Sequence, residues 1–357
     1  MRLIEPLGLL DGASAAAAIS AGNALPLAGG PLAFSLVRLL PDLRPAPVAE
    51  VSPDWLEALQ RLSRPPGGAA RGGARGPNGW ASQPSVMGVL NVTPDSFSDG
   101  GDHLDPARAV AAGLAMAAAG AAIVDVGGES TRPGAAPTPP AIEQARILPV
   151  IRELARQGVR VSVDTRNAST MQAALDAGAT MVNDISALTH DPGAASLLAR
   201  VGVPVVLMHM RGDPATMAAH AAYQDVALEV TAELASRLAA AEAAGIARVQ
   251  IALDPGIGFA KTGEHNLVLL SRLPLLLNLG CPLVVGVSRK RFLGLLGDEA
   301  DPRRRLAGSL AAALYALARG ASMLRVHDVA ETVQALRVWQ ALAGAPASTV
   351  SLALAAG

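Results

Sequence analysis

The sequence predicts an α/β protein that folds as a closed (β/α)8 barrel with an N-terminal extension, and three observations support this. Eight short apolar runs alternate along the chain with Ala- and Leu-rich stretches of helical spacing. Short, fully apolar strands between helices are typical of a parallel sheet buried on both faces. Each run also stops at a polar or charged residue, and TIM barrels carry their catalytic groups at the C-terminal ends of the strands.

The apolar runs predict eight strands, and the stretches that follow them predict eight helices. The strands are expected at 86–90, 122–126, 159–163, 180–182, 203–208, 249–253, 283–287 and 322–326. The helices are expected at 105–119, 141–157, 168–177, 194–200, 223–244, 265–272, 301–319 and 330–343. Five of these helices are followed by a glycine, as is common where a left-handed residue ends a helix: Gly120, Gly158, Gly178, Gly245 and Gly320.

A doubly wound open sheet is the alternative fold for this alternation. Such a sheet binds ligands at one switch point in the strand order, so fewer of its strand ends would carry polar groups. No GxGxxG fingerprint follows any of the predicted strands. The eight polar strand ends therefore favour the closed barrel.

Composition and charge exclude several classes of function. Of the 357 residues, 51% are hydrophobic, which is ample for one large core. The net charge of −1 provides no global field to recruit nucleic acid or an anionic membrane. The single cysteine, Cys281, excludes an internal disulfide framework, and we expect it to be inert packing. The Ala-rich stretch 13–18 is too short for a membrane span and a poor signal peptide, so we expect a cytoplasmic protein.

Residues 1–84 lack the strand–helix rhythm and form the predicted N-terminal extension. A helix is expected at 53–62, with Ser52 as its N-cap, followed by a flexible Pro/Gly/Arg-rich connector at 64–79. The arginines from Arg64 to Arg75 could contact nucleic acid weakly, but they suit a solvated linker better, so we assign this region no chemistry. The barrel domain is expected at 85–343 and a C-terminal tail at 344–357.

Three side chains at strand ends, Asp164, Asn183 and Asp254, predict a ligand with a donor-rich edge. Each ends a strand that should be buried, so each should face a shared pocket above the barrel. Buried carboxylates and amides need hydrogen-bond partners, and the neighbouring sequence offers none. A 2-amino-4-oxopyrimidine edge would suit them, because its N–H and NH2 groups can meet one carboxylate together. Hydrogen bonds inside the barrel are the alternative for any one of the three.

Two polar loops follow the first two strands. The segment from Asn91 to Gly101 is rich in hydrogen-bonding side chains, and it is either a turn or a loop that covers a substrate. In the second loop, the Arg132 guanidinium beside the Thr131 hydroxyl could grip a phosphate or form a surface salt bridge. Both loops are expected at the catalytic end of the barrel.

The last three strands are followed by glycines and positive charges. Two glycines after Asp254 let the backbone approach a ligand closely. Phe259 could be a pocket wall or ordinary core, and Lys261 could be an anchor or a solvated side chain. A cationic rim, at the place where barrels often bind phosphate, is expected from five further residues: Ser288, Arg289, Lys290, Arg325 and His327.

Eight motifs in the barrel region closely resemble those of the dihydropteroate synthases. They occur in that family's order and on the predicted strand ends, from about residue 85 to 340. One such motif would be weak, whereas eight in order are specific. The motifs are MGVLNVTPDSFSDGG (87–101), DVGGESTRPGA (125–135), VSVDT (161–165), NDIS (183–186), LMHMRGDPATM (207–217), DPGIGFAKT (254–262), GVSRKRFLG (286–294) and RVHDV (325–329).

The resemblance implies a transferase of folate biosynthesis. Such an enzyme condenses 6-hydroxymethyl-7,8-dihydropterin pyrophosphate with p-aminobenzoate, giving 7,8-dihydropteroate and pyrophosphate, and sulfonamides compete with p-aminobenzoate. The resemblance also implies Mg²⁺ as cofactor and a homodimer formed by helices late in the barrel. The expected partners are small-molecule substrates, without nucleic acid or membrane.

The resemblance further implies roles for the matching residues. Pterin contacts are implied for seven side chains: Asp164, Asn183, Met208, Asp254, Phe259, Lys290 and Arg325. Contacts on the pyrophosphate and Mg²⁺ side are implied for four residues: Asn91, Thr131, Arg132 and His327. Of these, Asn91 is the implied metal ligand. The p-aminobenzoate environment is implied for Phe97, Thr131, Pro133 and Ser288. Four residues are expected to act in catalysis: Arg132, Asp164, Asp254 and Lys290.

Two other functions fit parts of the sequence. A pterin-binding methyl-transfer module would share the barrel and the Asp/Asn pterin contacts, but would not need Thr131, Arg132 or the charges near the last two strands. A non-catalytic paralogue would have lost a loop or anion-site residue, and none is missing. The extension before Ser85 has no counterpart in the compact core of the family, so it bears on regulation and assembly.

Overall fold

The N-terminal region is an antiparallel sheet with two short helices, and of these elements only the second helix was predicted from the sequence. The computed structural model describes residues 3–41, 44–65, 80, 84–93, 105–132 and 134–344. In the N-terminal region the strands are β1 (Leu3–Leu10), β2 (Leu25–Pro26), β3 (Ala33–Leu40) and β4 (Pro45–Pro47), and β3 pairs with the other three. Helix α1 (Gly12–Ser20) follows β1. A 3-10 turn leads into α2 (Leu56–Ser63), near the helix expected at 53–62, although Ser52 makes no side-chain capping hydrogen bond.

The barrel contains the eight predicted strands, all parallel. They are β5 (Ser85–Asn91), β6 (Ile123–Gly127), β7 (Val161–Asp164), β8 (Met181–Asp184), β9 (Val205–Met208), β10 (Ile251–Asp254), β11 (Val284–Val285) and β12 (Met323–Val326). The sheet order is β10-β9-β8-β7-β6-β5-β12-β11, and a parallel bridge between Leu253 and Leu283 joins its two edges. The expected (β/α)8 barrel is therefore confirmed, and the open sheet is excluded.

Helices connect the strands and form the outer layer. They are α3 (Pro106–Ala118), α4 (Pro140–Arg156), α5 (Ala168–Asp176), α6 (Ala194–Val201), α7 (Val226–Ala243), α8 (Gly263–Ser271), α9 (Arg291–Leu296), α10 (Leu306–Leu317) and α11 (Val329–Ala343). The short helix α9 was not predicted, and the helix expected at 301–319 is a 3-10 turn (Pro302–Arg304) followed by α10. The five glycines expected to end helices all have positive φ angles, between 78° and 109°. No described helix is both long and apolar enough to cross a bilayer.

The barrel interior changes from apolar to charged along its axis. A separate apolar cluster fills its N-terminal end: Trp80, Met87, Ile123, Met181, Val206, Ala252, Val284 and Met323. Side chains alternate along a strand, so the residue two positions further on also faces inward. These inward-facing residues are Asp125 on β6, Asn183 on β8, Asp254 on β10 and Arg325 on β12. The alternation of these strands therefore brings polar groups together at the C-terminal end of the barrel.

The N-terminal sheet packs against the outside of the barrel through a 3-10 helix at Leu273–Leu279. All seven residues of this helix (LPLLLNL) are buried, because β1 and α2 cover it. Asn278 fixes the contact, since its side chain accepts a hydrogen bond from the Ile4 amide (3.0 Å) and donates one to the Ile4 carbonyl (2.8 Å). The buried Glu5 carboxylate pairs with both Arg38 (2.7 Å) and Arg272 (2.5 Å). The two regions therefore share one hydrophobic core.

Cys281 lies in this shared core, just before β11. Its side chain is fully buried, and burial raises the pKa of its thiol to about 12. A protonated, inaccessible thiol is unreactive. The structure thus agrees with the expectation that Cys281 is inert packing.

Candidate active site

The polar cluster in the barrel is centred on Asp125 and Arg325. The Arg325 guanidinium donates to Asp125 through Nε (2.7 Å) and to Asp164 through Nη2 (2.6 Å). Asn183 Nδ2 donates to the same Asp125 oxygen at 2.9 Å. Neither Asp164 nor Asn183 is paired by its local sequence, as expected, but hydrogen bonds inside the barrel, the stated alternative, do pair both: their partners lie far along the chain and meet them only in the closed barrel. Asp125 was missed from the sequence, although a carboxylate inside the apolar run Ile-Val-Asp-Val was a usable signal.

The loop after β10 provides the other half of this cluster. Asp254 is buried and accepts a hydrogen bond from the Gly256 amide at 2.7 Å. The Lys290 ammonium donates to the Ile257 carbonyl and lies 4.9 Å from the centre of the Phe259 ring. Met208, at the end of β9, is buried. The cluster thus has an ionic part and an apolar wall.

Burial shifts the pKa values of the ionisable groups in the cluster in the direction that favours their neutral forms. It raises the pKa of Asp164, against the opposing charge of Arg325, and raises that of Asp254, against the charge of Lys290. It also lowers the pKa of Lys290 to about 8. In addition, Asp125 Oδ1 is buried without a hydrogen-bond partner. A ligand that brings N–H donors would satisfy these oxygens and favour the ionised carboxylates.

Ser288 and His327 form a second, neutral pair beside the cluster. The Ser288 hydroxyl lies 3.0 Å from His327 Nδ1. Burial, and then the charge of Arg325, lowers the pKa of His327 to about 4, so the imidazole is uncharged at neutral pH. The structure does not gather the five predicted residues into one cationic rim, because Arg289 pairs with Asp328 and Arg325 turns toward the carboxylates. What remains at this edge is a set of hydrogen-bonding groups.

Asn91, Thr131 and Arg132 stand apart from the buried cluster. Asn91 ends β5, is half-buried, and lies beside Gly127 in the register of the sheet. Arg132 is exposed, and no ion pair involves it within the described chain, so the surface salt bridge is not supported. The loop that carries it is fixed by a buried pair between Glu129 and Arg166 (3.0 Å), which sequence reasoning missed. The predicted contacts Phe97 and Pro133 lie outside the described residues.

A further chain of contacts, also missed from the sequence, lies under the loop after β10. His209 Nδ1 is 2.9 Å from the Lys261 ammonium, and His209 Nε2 is 3.0 Å from Glu233. Burial lowers the pKa of His209 to about 4 and that of Lys261 to about 7. Lys261 is thus a partly buried anchor and not a solvated side chain. Glu233 lies on α7, 24 residues beyond His209, so no local pattern linked them.

Comparisons with known proteins agree with this geometry. The sequence profile of the pterin-binding enzymes matches residues 87–327. The dihydropteroate synthase of Mycobacterium leprae is 52% identical over 260 residues, which are 71% of this chain and 91% of that protein. The dihydropteroate synthase of Escherichia coli K12 is 48% identical over 261 residues, covering 73% and 92% of the two chains.

Solved structures give the same result. Xanthomonas albilineans dihydropteroate synthase with 4-aminobenzoic acid has a TM-score of 0.70 at 50% identity, covering 74% of this chain and 94% of that one. The complex of the X. albilineans enzyme with 7,8-dihydropteroate has a TM-score of 0.68 at 48% identity, covering 74% and 95%. These matches span the barrel with its buried carboxylate cluster, and the chain belongs to the pterin-binding enzyme family, among the dihydropteroate synthases.

Proposed function

We propose that this chain condenses 6-hydroxymethyl-7,8-dihydropterin pyrophosphate with p-aminobenzoate, giving 7,8-dihydropteroate and pyrophosphate. The observation that carries the proposal is the cluster of the buried Asp125, Asp164, Asn183 and Asp254 with the partly buried Arg325 at the C-terminal end of the barrel. Solved structures of the X. albilineans enzyme contain 4-aminobenzoic acid or 7,8-dihydropteroate. The barrel therefore supplies a donor- and acceptor-rich slot of the kind that a pterin requires.

The pterin would bind in the buried cluster. The Asp254 carboxylate would accept the ring N–H and NH2 groups, because it is buried and has only the Gly256 amide as its own loop's donor. Asp164 and Asn183 would meet the other polar edge, Lys290 the ring carbonyl, and Met208 and Phe259 the ring faces. Arg325 would move off its carboxylates to cover the pterin. Each of these contacts replaces a pairing within the protein by one with the ligand.

Charge stabilisation and positioning of the substrates would accelerate the reaction. Departure of pyrophosphate leaves positive charge at a methylene conjugated to the pterin, and the Asp164 and Asp254 carboxylates would stabilise that charge. The aniline nitrogen attacks the methylene carbon, the C–O bond to pyrophosphate breaks, and the amine then releases a proton to water. An aniline is weakly basic, so no strong general base is required. Alignment of the amine and exclusion of water would complete the rate enhancement.

The leaving group would bind at the rim. Asn91, Thr131, Arg132 and His327 are proposed for the pyrophosphate side, and Thr131 and Ser288 for p-aminobenzoate. A Mg²⁺ ion fits here, because its ligands are oxygens and it is commonly held by one or two protein groups together with substrate phosphates. Asn91 ends β5 at this rim and is half-buried, so its carboxamide oxygen could hold the ion. When bound, Mg²⁺ would neutralise charge on the departing pyrophosphate.

We also propose that the enzyme is a cytoplasmic homodimer. Helices α10 and α11 enclose a mostly apolar groove lined by Leu306, Leu310, Leu314, Ala335, Val338, Trp339 and Leu342, together with Glu331 and Gln334. On its edge Val338 is 56% exposed and Leu342 is 71% exposed, which is unusual for neighbouring aliphatic side chains. A second copy of this face would cover both. Light scattering should give the mass of a dimer, and Val338→Asp should shift it to that of a monomer.

Incubation of the purified protein with the pterin pyrophosphate, p-aminobenzoate and Mg²⁺ tests the reaction. Dihydropteroate and pyrophosphate should appear in equal amounts, require all three components, and be suppressed by a sulfonamide. Product formation without Mg²⁺ would contradict the metal assignment alone. Pterin binding without product would instead indicate a non-catalytic or methyl-transfer protein.

A further inference from the structure

Lysine is used at only two positions in this chain. Lys261 and Lys290 are the only lysines among 29 lysine and arginine residues, so arginine provides the positive charge everywhere else. Arginine carries a broad planar fork, whereas lysine carries a compact ammonium with three donors that fits a narrow space. Both lysines lie against the loop after β10. Lys290 donates to the Ile257 carbonyl of that loop, and Lys261 donates to its Phe259 carbonyl at 3.0 Å.

The two ammonium groups contact different parts of this loop, to which Lys261 itself belongs. A Cβ atom added to Gly258 would lie 3.1 Å from the Lys290 side chain, and one added to Gly256 would lie 3.4 Å from Lys261 Nζ. The added Gly256 Cβ would also lie only 1.9 Å from the His209 carbonyl oxygen, so the loop packs directly on the backbone of His209. Gly256 has a φ of +67°, and its amide is the donor to Asp254. Movement of His209 or Lys261 would therefore displace the group that orients Asp254.

His209 and Lys261 are themselves held by α7. Since the Lys261 ammonium can only donate, His209 Nδ1 accepts from it, and Nε2–H donates to Glu233. Glu233 also binds Arg211 through Nε at 3.0 Å, and Arg211 binds Glu229 at 2.8 Å. The order of contacts is thus a rigid helix, a carboxylate, an imidazole, an ammonium and the loop. Glu233 thus orients the His209 imidazole, and the imidazole orients the Lys261 ammonium that binds the loop.

We propose that Lys261 is a positioning residue for the pterin: it fixes the loop that presents Asp254 and Phe259, and the pair of His209 and Glu233 holds it in place. This inference rests on the proposed function, which assigns the pterin to Asp254. Lys261 supports the loop through the Phe259 carbonyl, whereas Lys290 contacts it at the Ile257 carbonyl. Its loss should therefore weaken pterin binding and leave the rim, where p-aminobenzoate is proposed to bind, unaffected.

The first test is Lys261→Met, which keeps the length of the side chain and removes its charge. Calorimetry with 6-hydroxymethyl-7,8-dihydropterin should give a dissociation constant raised roughly tenfold, the size expected for one charge-assisted hydrogen bond. The KM for p-aminobenzoate should change by less than about twofold. The matched control is Arg248→Met, which also removes a cation bound to a backbone carbonyl, that of Leu279, and should leave pterin binding unchanged.

A second variant, Glu233→Gln, tests the support of Lys261. Glu233 is 40% exposed, so this variant should fold even if Lys261→Met does not. It should weaken pterin binding in the same direction, and adding it to Lys261→Met should cause no further loss, because the two changes break one chain of contacts. Losses that add in the double variant would overturn the linkage through His209.

The outcomes separate this inference from the proposed function. If the wild-type protein binds no pterin, both the proposed function and this inference are contradicted. If the wild type binds pterin and Lys261→Met binds it equally well, at whatever melting temperature, only the inference fails. A loss of affinity that is matched by an equal rise in the KM for p-aminobenzoate would also overturn it, since the whole site would then be disturbed.

Discussion

The buried end and the rim of the site differ in how far their side chains are already held in place. At the buried end, Arg325, Asp125, Asp164 and Asn183 bind one another at 2.6 to 2.9 Å inside the barrel. At the rim, Arg132 is exposed and no ion pair involves it within the described residues. The charged groups of the buried end are therefore held by one another, whereas the Arg132 guanidinium at the rim is not held by any described charge.

The difference follows from solvation. A polar group inside the barrel has no water to bind, so it must find a protein partner, and the partners fix its orientation. An exposed guanidinium is already hydrogen-bonded to water, so it becomes ordered only when a charged substrate binds it. Changes at the buried end should therefore affect stability and binding together, whereas changes at the rim should affect binding alone.

Arg325→Met should have the largest effect, and it tests the buried end directly. It leaves Asp125 and Asp164 without their cation, and loss of one partner from a buried pair costs about 3–5 kcal/mol of the free energy of unfolding. Urea unfolding measures this loss. Arg289→Met is the matched control, because it breaks the more exposed pair with Asp328 and should cost far less.

The loss in Arg325→Met should grow with pH. Burial already raises the pKa of Asp164 to about 7, and Arg325 opposes that rise. Without Arg325 the folded pKa rises further above that of the unfolded chain, so the folded state keeps a proton that the unfolded state releases. The free energy of unfolding should then keep falling above pH 7, where this group no longer affects the wild type. A constant difference from pH 6 to 8.5 would contradict the pairing.

Asp254→Ala should have the next largest effect, on pterin binding. The ligand would lose two charge-assisted hydrogen bonds, which corresponds to a dissociation constant raised by about hundredfold or more. Calorimetry with a pterin analogue measures it. Asp184→Asn is the matched control, because Asp184 is also a buried carboxylate at a strand end but accepts only from its own loop, at Ser186 and Leu188. Unchanged affinity in Asp254→Ala would remove Asp254 from the pterin site.

The sequence predicted the strands and the residues at their ends, but not the pairs between them. Every barrel strand lies within a few residues of its expected position, because a strand buried on both faces must be apolar throughout. The Arg325–Asp125 pair spans 200 residues, and no local pattern reports a contact that exists only once the barrel closes. Similarly, β1 contains Pro6, Gly8 and Glu5, which weaken a strand pattern, and the Glu5 carboxylate meets its partners Arg38 and Arg272 only in the folded chain.

Arg132→Ala should have a smaller effect, confined to the rim. Binding of pyrophosphate should weaken by roughly tenfold, through the loss of one exposed charge-assisted contact. The pterin without its pyrophosphate should bind as in the wild type, and the melting temperature should not change. Arg237→Ala, another exposed arginine, is the control and should leave pyrophosphate binding intact. An Arg132→Ala protein that unfolds would show that the rim is as tightly built as the buried end.

The smallest effect is a titration that leaves the fold intact. Protein labelled with 13C at the lysine ε carbon should give two NMR signals, assigned by Lys261→Arg and Lys290→Arg. Burial places their pKa values at about 7 for Lys261 and about 8 for Lys290, below the usual value of 10.5. The unfolded chain therefore keeps protons that the folded chain releases, so these groups make stability rise with pH from about 7 to 10.5.

Pterin affinity should fall over pH 7 to 9, as the ammonium groups beside Asp254 lose their charge. Midpoints near 10.5 would mean that water reaches both lysines, and the contrast between a dry buried end and a wet rim would then be lost.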